Sequence, residues 1–177
     1  MYVHGLESGP EGRKAKELAA AGFSVVAVQM PCSDLGPSPL PSRVAEAFEA
    51  SIAVQVAALS ENSVDVLVGS SFGGAVTLAL LQRGHWAGRT VLLCPAHELI
   101  AEKSGRSAPP GLSALDAEHQ RHILVVHGSH DETVPFAHST ALVAGSAVRM
   151  LAVTDDHRLS ATANAENLAV WVAATAG

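Results

Sequence analysis

Cysteine is nearly absent from the sequence, with Cys32 and Cys94 the two examples in 177 residues. With no secretory context beside them, such thiols are expected to stay reduced, which argues against a disulfide-stapled scaffold. Charge is sparse at 16%, and eleven Lys and Arg against seventeen Asp and Glu leave a net charge of -6. No basic cluster forms the footprint of a phosphate-backbone binder, so nucleic acid is not an expected partner. The opening Met1-Tyr2-Val3-His4-Gly5 lacks the basic and apolar regions of a signal peptide, and no apolar run is long enough to span a bilayer. A cytoplasmic protein without a membrane partner is expected. Aromatic residues make up 4% of a chain that is 48% hydrophobic, so the core must be built mainly from Ala, Val and Leu.

What is present is an alternation. Short apolar runs bounded by Gly, Pro, Asp or Ser recur between longer segments of helical periodicity, the pattern of βα units and a parallel sheet. The predicted strands are Met1–Val3, Phe23–Gln29, Val64–Val68, Thr90–Cys94, Ile123–Val126 and Val148–Val153. The predicted helices are Gly12–Ala21, Pro41–Leu59, Phe72–Arg83, Phe136–Ala144 and Ser160–Ala174. In the second helix Val44, Phe48, Ile52, Val56 and Leu59 recur at spacings of three and four, a stripe suited to packing on a sheet. Pro31–Pro41 reads as a loop, and residues 95–120 as a long irregular segment able to form a small flap over an active site. One α/β domain over residues 1–177 is expected.

The chemistry concentrates at strand ends. Val66-Leu67-Val68 runs into Gly69-Ser70-Ser71-Phe72-Gly73-Gly74 and then into good helix formers, so a G-x-S-x-G motif falls where a strand turns into a helix. Gly69 and Gly73 suit the crowding of such an elbow, and Ser71 would be presented at the sheet's C-terminal edge. The same glycines also suit a packing turn or a phosphate cradle, and Ser70 is a second hydroxyl one position out of the elbow. A serine needs a base, and the base an orienting group. Asp131 lies in His127-Gly128-Ser129-His130-Asp131, just past one predicted strand, and His157 in Asp155-Asp156-His157, past the last. Asp155, Asp156 and Asp34 remain as alternative acids. The loop with His127, His130 and Asp131 invites a metal reading, but its spacing matches neither a helical H-E-x-x-H pair nor a zinc finger, so no metal is expected. His4 and His127 are read as hydrogen-bonding loop backbone, His85, His119, His122 and His138 as surface residues, and the two cysteines as small buried hydrophobes.

In the order Ser71, Asp131, His157, and in the His127 to Pro135 stretch resembling H-G-x-x-D-x-x-V-P, the chain resembles the α/β-hydrolase superfamily. Its opening Tyr2-Val3-His4-Gly5-Leu6-Glu7-Ser8-Gly9-Pro10 looks like that of compact members without a cap. The resemblance implies a three-layer α/β sandwich, a triad of Ser71, His157 and Asp131, and an oxyanion hole formed by the backbone N-H groups of Phe72 and Leu6, with Gly5 allowing close approach. Typical members carry two strands ahead of the His-Gly loop, so a reduced six-stranded sheet ordered 2-1-3-4-5-6 is expected here. The implied activity is cleavage of a small carboxylic ester or thioester, without a cofactor. Acyl transfer and perhydrolysis share that machinery, and a non-catalytic binding module is the reading from a different class.

Overall fold

The computed structural model describes residues 1–32, 35 and 38–176. Its sheet has five strands, β1 (Tyr2–Val3), β2 (Val66–Ser70), β3 (Arg89–Leu93), β4 (Ile123–Gly128) and β5 (Arg149–Val153), in the order β1-β2-β3-β4-β5. Every neighbouring pair is parallel. Parallel strands need crossovers, and six helices supply them: α1 (Arg13–Ala20), α2 (Pro41–Glu61), α3 (Phe72–Gln82), α4 (His97–Lys103), α5 (Ala117–Arg121) and α6 (Phe136–Val143); a seventh, α7 (Ala165–Ala173), follows the last strand. The continuous apolar strands are explained by cover on both faces. On one face Val68, Val91, Leu93, Leu124 and Val126 meet Leu18 of α1 and Leu168, Trp171 and Val172 of α7. On the other, Leu67 packs with α2 and α3, while Leu92, Ile123 and Val125 meet Leu78 and Leu81 of α3 and Leu142 of α6. Among the described residues no helix is long and apolar enough to cross a membrane.

The predicted strand Phe23–Gln29 is not part of the ladder, so the sheet has five strands rather than six; the order of the others is as expected. Its side chains do alternate, Phe23, Val25 and Ala27 toward one face and Val26 and Val28 toward the other. The strand it meets, β1, is two residues long. One bond, from the Tyr2 amide to the Val26 carbonyl at 2.8 Å, joins the two, and the Met30 amide turns to the His4 ring at 3.2 Å. A ladder cannot propagate from a partner that short.

The last helix begins at Ala165 and not at Ser160, since residues 160–164 form a separate turn, and Asn164 caps the helix by accepting from the Asn167 amide at 3.0 Å. Residues 95–120, open to forming a flap from sequence, are folded cover: α4 packs on α3, and the 3-10 turn Leu112–Ala114 packs on α6. None of that segment lines the cavity at Ser71.

Candidate active site

The site is assembled at the C-terminal ends of β2, β4 and β5, where a parallel sheet leaves a crevice. Ser71 follows β2 directly, with φ 56° and ψ -117°, a conformation that non-glycine residues rarely adopt. Its amide donates to Leu93 O at 2.9 Å, and its carbonyl accepts from the Ala75 and Ala96 amides, both at 3.1 Å. These three bonds hold the strained turn. A Cβ on Gly69 would strike Thr77 and the Gly73 carbonyl, and one on Gly73 would strike the Val3 and His4 carbonyls, so both positions need glycine on steric grounds. Gly5 is less confined, its virtual Cβ meeting Ser70 O and Ser71 Cβ at an ordinary 3.4 Å.

Three side chains from remote parts of the chain meet here. His157 Nε2 lies 2.8 Å from Ser71 Oγ, and His157 Nδ1 lies 2.7 Å from Asp131 Oδ2. The other carboxylate oxygen, Oδ1, accepts from the Thr133 and Val134 amides, each at 2.8 Å, which fixes the rotamer of Asp131. Burial alone would raise the Asp131 carboxyl; the Val134 amide, the hydrogen bond and charge of His157, and the Thr133 amide outweigh it and hold the group below its ordinary value. His157 and Asp131 thus form a fixed pair facing the serine.

The alternative acids are placed elsewhere. Asp156 accepts from the Ser160 amide at 3.0 Å and its hydroxyl at 2.8 Å. Asp155 accepts from the Asp156, Ala161 and Thr162 amides and from Thr162 Oγ1. Asp34 lies outside the described residues. Ser70, on the last position of β2, is buried and makes no hydrogen bond with His157. Phe72, as the first residue of α3, has no acceptor for its amide within its helix, and Leu6 lines the same cavity as Ser71.

Several contributors were not legible as such. His127 is fully buried; its Nδ1 faces Ser139 Oγ at 2.7 Å, and its Nε2 lies 3.0 Å from Val134 O and 3.1 Å from Asp131 Oδ2. Burial pushes its pKa down, so the neutral ring with its proton on Nε2 supports Asp131 from behind. His4 does bond loop backbone, through the Gly5 carbonyl and the Met30 amide. Cys94, at φ 44°, is buried beside Asp131, and burial pushes its thiol up to about 12. Neither cysteine is in a disulfide. Among the described residues the ligand-type atoms gathered within 4.8 Å are those of Cys94, Asp131 and His157, two of which already engage one another. His130 is exposed and not among them.

Asp155 is the keystone of the loop that carries His157. Four donors converge on its carboxylate, and they hold it at about 2 against an ordinary 3.8, even though burial acts in the opposite direction. Asp155→Ala leaves those donors unmatched and is expected to lower unfolding stability by about 2–3 kcal/mol, measured by urea titration. Because the folded value is depressed, the contribution is full above the unfolded value near 3.8 and is lost as pH falls toward 2. The variant's stability should therefore differ from the parent's at pH 6 by more than at about pH 2.5.

A cavity of about 540 Å³ opens over Ser71 and His157, walled by Gly5, Leu6, Lys14 and Thr133 among others. A parallel sheet that presents a serine on such an elbow to a histidine and a carboxylate from later strand ends has the α/β-hydrolase fold. The chain belongs to the uncharacterised protein family UPF0227, whose model matches residues 1–169. It is similar to a protein from Xanthomonas campestris pv. campestris described as a hydrolase of the alpha/beta superfamily, at 24% identity and TM-score 0.68 over 98% of this chain and 93% of that one. It is similar also to a protein from Agrobacterium vitis S4 described as a hydrolase, at 17% identity and TM-score 0.64 over 99% and 87%. Est1E from Butyrivibrio proteoclasticus aligns at 17% identity and TM-score 0.62 over 97% and 83%. No curated protein matches.

Proposed function

We propose that the protein is a serine hydrolase that cleaves small carboxylic esters or thioesters through an acyl-enzyme. The observation that carries this reading is the unbroken relay from Ser71 Oγ through His157 to Asp131, at 2.8 and 2.7 Å. Ser71 Oγ attacks the carbonyl carbon while His157 Nε2 takes its proton. The oxygen that becomes negative is received by the Phe72 and Leu6 amides. The imidazolium, held by Asp131, then protonates the leaving oxygen or sulfur, and water repeats the sequence on the acyl-enzyme to release the acid and restore the serine. The proton transfers use groups already in hydrogen-bond range, Ser71 Oγ with His157 Nε2 and His157 Nδ1 with Asp131 Oδ2.

A fluorophosphonate probe is expected to label folded protein at Ser71, because such a reagent reacts with a serine that has a base and oxyanion donors. Labelling at Ser70, or none, would overturn the assignment and favour a binding module. The cavity is open and residues 95–120 do not cover it, so short p-nitrophenyl esters should exceed long ones in kcat/KM. A clear preference for long acyl chains in a graded series would contradict this.

A further inference from the structure

The cavity over Ser71 carries more positive charge than the reaction uses. Arg13 and Lys14 come to its wall from the first turn of α1, and Arg158 from the loop of His157; among the wall residues the only carboxylate is Glu7. Glu7 is already engaged with Arg158 at 2.5 Å on the exposed rim. Arg13 is held by backbone oxygens, those of Ala163 at 3.0 Å and Leu159 at 2.8 Å, and Lys14 Nζ by the Arg158 carbonyl at 2.7 Å. Neither pairs with a carboxylate among the described residues. Carbonyl oxygens fix a cation in place without neutralising it.

The helix adds to the imbalance. α1 is preceded by Gly12 as N-cap, with no side-chain cap and no acidic residue in its first turn, so two cations stand at the end where the helix dipole is already positive. Burial, together with Arg13, accordingly lowers the Lys14 ammonium to about 8. Any anion bound in the cavity relieves all of these costs together.

We propose that Lys14, with Arg13 and Arg158, forms a subsite for an anionic group, a carboxylate or phosphate, borne by the ester or thioester that Ser71 attacks. This rests on the hydrolase reading above and names the substrate class of that same site. The cations lie on the cavity wall shared with Ser71 and His157, so the anion and the scissile carbonyl belong to one molecule that spans the cavity. Fixed guanidinium and ammonium donors recognise carboxylate and phosphate oxygens alike through charge-assisted hydrogen bonds.

Matched substrates test this. Mono-p-nitrophenyl adipate against p-nitrophenyl hexanoate puts the charge on the acyl side. Comparing 4-carboxyphenyl butyrate and 4-butyryloxyphenyl phosphate with phenyl butyrate puts a carboxylate or a phosphate on the leaving side. In at least one comparison the anionic member should show kcat/KM higher by roughly tenfold, and the ratio should shrink as salt rises from about 10 to 150 mM. Lys14→Gln and Arg13→Gln should each bring that ratio toward unity. Lys16→Gln, exposed on the same helix and off the cavity wall, should leave it as in the parent. For the free enzyme, kcat/KM with the anionic member should fall as pH rises through about 8, where Lys14 discharges; the groups facing it are Arg13, Arg158, Asp156 and the Cys94 thiol.

Arg13 also ties α1 to the 159–163 turn, so its substitution tests fold and subsite together; a second measurement therefore uses the parent protein alone. Free adipate should inhibit neutral-ester turnover competitively at low salt and lose potency at high salt. Neutral esters favoured in every comparison, with no inhibition by adipate, would overturn the subsite and leave the hydrolase reading standing. No turnover of any ester together with no fluorophosphonate labelling would overturn both.

Discussion

His157→Ala is expected to lower kcat on a short p-nitrophenyl ester by roughly 10⁴- to 10⁶-fold, the range seen when the base of a serine relay is removed. Among the described residues no other base is positioned to take the proton: Ser71 Oγ has one imidazole partner, at 2.8 Å, while the ring of His127 is turned to Ser139 and Val134. His4 is likewise committed, to the Gly5 carbonyl and the Met30 amide. The residual rate would come from binding and oxyanion donors alone. The change should leave the fold intact, since the loop is held by Asp155 and not by the histidine. Circular dichroism and urea midpoints should therefore match the parent. A variant retaining activity within tenfold of the parent would mean that the serine is activated by something other than this ring.

What could be read before the fold was known was local or periodic. The elbow is a motif within six consecutive residues, and its strand-to-helix context is adjacent in sequence, so Ser71 and the need for Gly69 and Gly73 were legible. The burial of β2, β3 and β4 on both faces was legible from continuous apolar runs. What failed depended on partners. Phe23–Gln29 alternates as a strand should, but pairing is a property of two strands, and β1 is too short to propagate it. Residues 160–164 looked helical because nothing in their composition reveals that Asp155 will claim the Ala161 and Thr162 amides. The positive cavity wall was hidden for the same reason, since Lys14 and Arg158 meet across 144 positions of sequence.

Asp131→Asn carries the other large expected effect. The carboxylate divides its work: Oδ1 accepts from the Thr133 and Val134 amides, while Oδ2 accepts from His157 Nδ1 and faces His127 Nε2 at 3.1 Å. An asparagine has one oxygen for these two sets of donors. Two backbone donors at 2.8 Å will keep the oxygen on their side, so the new NH₂ group is turned toward His157 and His127. A donor opposite Nδ1 favours the tautomer with the proton on Nε2, and that ring offers Ser71 a proton where it must accept one. The kcat should fall by about 10⁴-fold with KM comparatively unchanged, because Asp131 does not line the cavity over Ser71. Stability should fall as well, by about 1–3 kcal/mol, since the buried Nε2–H of His127 loses an acceptor and faces a donor. Asp156→Asn, whose carboxylate serves the Ser160 turn, should change kcat little. If Asp156→Asn abolished turnover while Asp131→Asn left it nearly intact, the orienting acid would be misassigned, and the serine and histidine would need a different third partner.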